Sequence, residues 1–255
     1  MSALPEAFLR PPIAHRAYHD VTDGRPENSR AAMRAAIARG YGIEIDVQLS
    51  ADGQAMVFHD YVLDRLTGRP GAVRQKTAAE LGAITLTGGD EGIPTLGEVL
   101  ELVAGQVPLL IEIKDQDGAM GPDIGPLEEA LAEGLEGYSG PVAVMSFNPH
   151  AIAKMAELVP DVPRGLTTSA FLPEHWGHLP ASVREHLAPI PDYDRVGASF
   201  ISHDARDLNS ARVAELKAAG VPILCWTIRS PEEEAQAREI ADNITIETSA
   251  AALPA

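Results

Sequence analysis

The chain has 255 residues, 45% hydrophobic and 22% charged, which is a globular composition, and one cysteine, Cys225, which excludes an intrachain disulfide scaffold. Twenty Lys and Arg against 37 Asp and Glu leave a formal net charge of −17, which works against attraction to nucleic acid or to an anionic membrane, since both need clustered cations. No apolar run approaches the roughly 18 residues of a membrane span and no export signal is visible, so stable membrane insertion is not expected and a cytoplasmic location is.

In chain order, short apolar β-prone runs alternate with helical segments rich in Ala, Glu and Leu. Strands are expected near residues 13, 45, 110, 144, 165, 199, 223 and 245, with helices over 29–39, 95–103, 123–136, 150–158, 180–186, 210–219 and 231–240. Such alternation argues for parallel strands joined by crossover helices. Eight strands at roughly 32 residues per unit predict a closed TIM (β/α)₈ barrel, with residues 1–255 as a single catalytic domain. The rival, an open doubly wound sheet, often carries a Gly-x-Gly-x-x-Gly or Walker-type phosphate loop, and the sequence holds neither. Punctuation agrees with the boundaries: Asn28-Ser29 can cap a helix, Gly40 and Gly220 fall where helices should stop, and Pro231 suits a first helical turn. Residues 54–92 form a small loop-rich insertion after the second strand, expected at the barrel mouth. Cys225 lies in the apolar run Val221–Trp226 and reads as core.

Side chains at the carboxyl ends of barrel strands face the mouth, where such barrels build their sites. The first strand ends in His15-Arg16, the second carries Glu44-Ile45-Asp46, the short strand of the insertion ends in His59-Asp60, and the third barrel strand carries Glu112-Ile113-Lys114. Residues two apart on a strand share a face, so Glu44 projects with Asp46, and Glu112 with Lys114. Three carboxylates at one mouth repel one another unless a hard cation lies among them. An all-oxygen set suits Mg²⁺ or Ca²⁺ better than zinc. His15 and His59, on different strands, can flank a reacting bond as acid and base. Arg16 offers a planar fork, and Lys114 a compact charge, for the oxygens of an anion.

The ordered motifs His15-Arg16, Pro26-Glu27-Asn28-Ser29, Gly42–Val47, Asp52-Gly53, Val57-Phe58-His59-Asp60, Ile93–Leu100 and Ile111–Lys114 together resemble the glycerophosphodiester phosphodiesterase family. Ser146-Phe147 and Cys225-Trp226-Thr227-Ile228 look like that family's later signatures. The resemblance implies a TIM barrel with a divalent cation on Glu44, Asp46 and Glu112. It also implies acid/base catalysis by His15 and His59, and phosphate contacts from Arg16 and Lys114. The implied reaction cleaves a small glycerophosphodiester to glycerol 3-phosphate and a free alcohol. The chain departs from the family pattern at Ala17, usually Gly, at Ser29, usually Thr, and in the last strand, Asp242–Thr248, which lacks the usual Gly-Val-Asp-Gly opening and Thr-Asp close. That strand is expected to lie away from the metal ligands.

Pocket candidates are Trp226 on the seventh strand, Ser146 and Phe147 at the end of the fourth, and His203, which is expected to follow the sixth strand. Phe171 and Trp176 could add an apolar wall. Glu174-His175-Trp176-Gly177-His178 invites a zinc reading without matching a known zinc spacing. Release of a head group from lysophospholipids suits the same motifs and would need an exposed apolar rim. A phosphate-ester-binding barrel without turnover is the non-enzymatic alternative, and an amidohydrolase, another barrel enzyme, would open on His-x-His, which this chain does not. The sequence leaves the oligomeric state and the head group open.

Overall fold

The structure is a computed structural model and describes residues 2–247. In chain order its strands are β1 (Ile13–Ala14), β2 (Gly42–Leu49), β3 (Ala55–Val57), β4 (Leu109–Ile113), β5 (Val142–Ser146), β6 (Arg164–Thr168), β7 (Phe200–Asp204), β8 (Ile223–Ile228) and β9 (Asn243–Ile246). The helices are α1 (Arg30–Arg39), α2 (Asp64–Thr67), α3 (Ala78–Gly82), α4 (Leu96–Val103), α5 (Pro126–Leu135), α6 (Pro149–Leu158), α7 (Pro173–Trp176), α8 (Ala181–Leu187), α9 (Ala211–Ala218) and α10 (Pro231–Ala237).

Sheet order runs β1-β9-β8-β7-β6-β5-β4-β2, and β1 pairs β2 as well, so the sheet closes on itself. All pairings around that ring are parallel; β3 lies antiparallel to the far end of β2, with Val47 opposite Val57. This is the TIM barrel expected from the alternation, with the insertion after the second strand.

Alternation along each strand sorts the core. Outward residues such as Ile43, Ile45, Ile111, Val144, Ile201 and Cys225 pack against the helices. Inward residues Ile13, Leu110, Ala143, Met145, Phe200 and Leu224 meet Leu4 and Phe8, which come from the amino-terminal segment and close the barrel floor. Gly165 faces this space because a Cβ there would come within 2.4 Å of the Phe200 ring. The insertion has an apolar cluster of its own, built from Met56, Phe58, Leu63, Val73, Leu81, Ile84, Leu86 and Ile93. Helix ends follow the sequence signals: the Ser29 side chain accepts from Ala32 N, Thr95 and Glu98 form a capping box, and Gly40 takes φ 69° at the end of α1.

One strand sits later than expected. The apolar run 196–201 begins with a turn, in which Val196 N bonds Asp192 O, Ala198 N bonds Tyr193 O and Gly197 takes φ 61°, and β7 starts only at Phe200. Val196 and Ala198 are apolar because they are buried in the main core, not because they are extended. His203 and Asp204 therefore belong to the strand instead of following it. Among the described residues no helix is long and apolar enough to cross a membrane.

Candidate active site

The first, second and third parallel strands and the insertion converge at one rim of the barrel. Asp46 and Glu112 stand opposite each other in the β2–β4 register, and Glu44 lies two residues below Asp46 on the same face. The three carboxylates are buried, and ligand atoms from all three lie within 4.8 Å of one another. Burial and the charges of Asp46 and Glu112 push the Glu44 carboxyl well above its ordinary value. Asp46 is equally buried, but Lys114, His59 and Arg16 hold it far below the usual range. A site that pushes one of three acids toward its neutral form has less positive charge than its carboxylates call for, even with Lys114 and Arg16 beside them, and its donors are hard oxygens. Both properties fit a divalent cation.

Lys114 Nζ spans Asp46 Oδ1 at 2.8 Å and Glu112 Oε1 at 2.6 Å. Burial opposes its charge, yet those two acids keep its pKa above normal. Asn28 Nδ2 donates to Asp46 Oδ2 at 2.9 Å. Just past β1 the backbone enters the left-handed region at Arg16 (φ 52°) and Ala17 (φ 66°). This bend aims Arg16 N at Glu44 Oε2 (2.8 Å) and Ala17 N at Glu44 O (3.0 Å). A left-handed non-glycine residue costs on the order of 1–2 kcal/mol, so the usual glycine at position 17 has a conformational reason. Here the Ala17 methyl is buried in the core instead.

Two imidazoles reach the same rim. A carboxylate can only accept, so His15 Nδ1 donates to Glu247 Oε1 at 2.8 Å and His59 Nδ1 donates to Asp60 Oδ1 at 2.6 Å. Each ring therefore carries its other nitrogen, Nε2, unengaged by these bonds. Burial, reinforced against the pull of Glu247 by the Arg16 charge, lowers the His15 pKa. His59 is placed by β2, since Phe58 N bonds Asp46 O (3.0 Å) and Gln48 Nε2 donates to His59 O (3.0 Å).

A charged chain links the two sides. Arg16 Nη1 donates to Glu27 Oε1 at 2.9 Å, while the Arg65 fork takes both oxygens of Glu27 at 2.8 Å and both of Asp60 at 2.7–2.8 Å. Arg16 Nε is buried without a hydrogen-bond partner among the described protein atoms.

The other sequence candidates divide. Trp226 and Phe147 stand edge to face at 5.5 Å, and Trp176 lies 4.8 Å from both Phe147 and Phe171, so an aromatic wall forms beside the mouth. A cavity of about 430 Å³ opens next to it, lined by Trp226, Thr227, Asp204, Arg206 and Arg229, and does not include the carboxylate trio. Ser146 points away from the mouth: its Oγ donates to Ile113 O at 2.7 Å and accepts from Asn148 N, which fixes the turn into α6. His203 is fully buried on the outward face of β7, between Thr168 Oγ1 (2.8 Å) and Asp207 Oδ2 (3.1 Å), so it is not brought to the carboxylates. His175 accepts from Arg206, and His178 lies against Trp176. Among the described residues, Glu44, Asp46 and Glu112 form the one group of three potential ligands within mutual reach, and the Glu174–His178 stretch contributes none to it.

Sequence reasoning gave no role to Glu27, Asp60 or Arg65, and it set the last strand apart from the site. Ring closure is the missing signal. In a closed barrel the last strand lies beside the first, and His15 N bonds Ile246 O (2.9 Å), so the next residue, Glu247, meets the His15 side chain.

Residues 15–243 match the model of the glycerophosphoryl diester phosphodiesterase family. A glycerophosphodiester phosphodiesterase of Caldanaerobacter subterraneus is 34% identical over 174 residues, covering 64% of this chain and 69% of its own. Human glycerophosphodiester phosphodiesterase 1 is 31% identical over 248 residues, covering 87% and 72%. Among solved structures, an Oleispira antarctica phosphodiesterase in complex with the product sn-glycerol-3-phosphate superposes with a TM-score of 0.77 at 26% identity over 94% of both chains. With the barrel, the rim of acids and the match across nearly the whole length, the chain belongs to the glycerophosphoryl diester phosphodiesterase family and to that class of enzyme.

Proposed function

We propose that the protein hydrolyses small glycerophosphodiesters to glycerol 3-phosphate and a free alcohol in a reaction that depends on Mg²⁺ or Ca²⁺. The carrying observation is the buried trio Glu44, Asp46 and Glu112, flanked by two imidazoles that are each held at Nδ1 and by two cations. A divalent cation held by those three carboxylates would supply charge for a phosphate oxygen and make a bound hydroxyl more acidic. Arg16, whose buried Nε lies 3.7 Å from Asp46 Oδ2 without a hydrogen bond, and Lys114 take the remaining phosphate oxygens. His15, lowered by burial, starts neutral and accepts the proton of the attacking hydroxyl on Nε2. His59 acts in this step as the imidazolium: with its Nδ1–H kept on Asp60 it donates the Nε2 proton to the departing alkoxide and is left neutral, while His15 ends the step protonated, so one proton enters and one leaves.

Head-group release from lysophospholipids is a second reading, favoured by one observation. Among the described residues, the large hydrophobic residues that stand exposed, Val21, Tyr61, Val62 and Leu172, fall in the segments that follow β1, β3 and β6. The test is release of glycerol 3-phosphate from glycerophosphocholine and glycerophosphoethanolamine, with EDTA and with Mg²⁺ or Ca²⁺ restored, beside His15→Ala and a lysophosphatidylcholine arm. Metal-dependent product lost in the variant supports the first reading. Choline release from the lysolipid alone supports the second, and no turnover of any of them overturns both.

A further inference from the structure

Glu247 is shared. Its Oε1 accepts from His15 Nδ1 at 2.8 Å and its Oε2 accepts from His19 Nε2 at 3.0 Å, so one carboxylate spans two rings. All three side chains are largely covered, at 16%, 19% and 28% exposure for His15, His19 and Glu247. The backbone fixes the pair of chains that carry them: Ala14 is in register with Ile246, and His19 N bonds Ala17 O at 2.9 Å on the return from the left-handed bend. Asp46 and Arg16 are the charged groups that face His15 from the site side, and neither offers an acceptor to Nδ1.

We infer that Glu247 is a positioning residue that holds His15 in the Nδ1–H tautomer with Nε2 turned to the reacting atoms, and that His19 acts through Glu247 by anchoring its second oxygen. A free imidazole can carry its proton on either nitrogen. The carboxylate at Nδ1 leaves Nε2 with its lone pair, and it stabilises the imidazolium once Nε2 has taken a proton. Without the His19 bond, Oε2 is free to swing, and the Oε1 contact loses its fixed direction. The machinery thus extends to the residue that follows β9, which the sequence separates from His15 by 232 positions. The inference rests on His15 as the proton-transfer group.

The test uses the full chain. Glu247→Ala should lower kcat on the order of 10²-fold with KM within about threefold, and the shape-conserving Glu247→Gln should also lower it because the negative charge is gone. His19→Ala should lower kcat about tenfold, and His19→Gln, whose amide N–H can reach the same oxygen, should restore most of it. Side-chain ¹H–¹⁵N spectra should show His15 as Nδ1–H in the parent and shifted toward Nε2–H in Glu247→Ala. A Glu247→Ala enzyme within threefold of the parent in kcat, or an unchanged His15 tautomer, overturns the role of Glu247. A His19→Ala enzyme equal to the parent overturns that of His19. If the parent itself turns over no diester, the catalytic reading fails, and the tautomer spectra still decide whether Glu247 sets His15.

Discussion

At the rim, three side chains titrate in one direction. Burial opposes the charges of Glu247 and Asp60, but their histidine partners, and Arg65 for Asp60, hold both carboxyls well below the usual carboxylate range, while burial holds His15 below its ordinary value. In each case the unfolded chain takes up a proton at a higher pH than the folded protein does. Stability is therefore present at neutral pH and is lost on acidification, from about pH 6.5 through His15 and from about pH 4.5 through the two acids. Thermal melting between pH 7 and 3 should show this decline, and Glu247→Gln with Asp60→Asn should flatten its lower part. Melting curves of equal slope in parent and variants would contradict the account. Glu44 carries the opposite shift. A cation entering the trio should release a proton over the pH range in which Glu44 holds one, seen by calorimetry as heats that depend on the buffer, and Glu44→Gln should abolish both the release and the accompanying rise in Tm.

Among the elements, β7 and the insertion carry the lessons. Gly165 on β6 admits the Phe200 ring of β7 at the barrel floor, and a methyl group there would come within 2.4–2.6 Å of three carbons of that packed ring. Gly165→Ala should cost about 1–3 kcal/mol by overpacking, read from urea unfolding, with the rim and kcat little changed. Arg65 ties the insertion to the rest of the rim through its forked ion pair with Glu27, and its second fork holds Asp60, the partner of His59, within the insertion. Arg65→Ala should raise KM and lower kcat together, since Glu27 and Asp60 both lose a partner and both Arg16 and His59 are loosened; a change in stability alone would deny that coupling. The eight parallel strands and the Glu44, Asp46 and Glu112 trio were legible because period-two spacing and strand-end position are local properties of the sequence. The late start of β7 was not, because a buried turn and a strand share the same apolar composition. Glu247 and the Glu27–Arg65 pair were not either, because Glu247 meets His15 only on ring closure and Arg65 meets Glu27 only when the insertion folds back.

Over the whole molecule, the charge of −17 sits around a site that must accept an anion. Arg16 and Lys114 are each paired with acids, so their field is short-ranged, while the surface field repels at a distance. Added salt screens the outer field over a Debye length of about 10 Å at 0.1 M. KM for a net-anionic diester such as glycerophosphoglycerol should fall as salt rises from 20 to 150 mM, and KM for zwitterionic glycerophosphocholine should move less. An equal response of both would place the controlling charge inside the mouth.

The insertion also has a separate hydrophobic cluster, from Met56 to Ile93, and is bolted to α1 by Glu91, which accepts from Ala31 N and Arg34, and by Gly92 O, which accepts from Arg30. It begins and ends beside one another, with Val57 N bonded to Pro94 O. A segment with its own interior and adjacent ends behaves as a cassette. Its outer tip, Tyr61 and Val62, can vary in length and polarity while Phe58 and the Gln48 bond keep His59 in place. Length and polarity at this exposed turn can thus change while the interior of the insertion keeps its packing and the barrel stays untouched as its chassis.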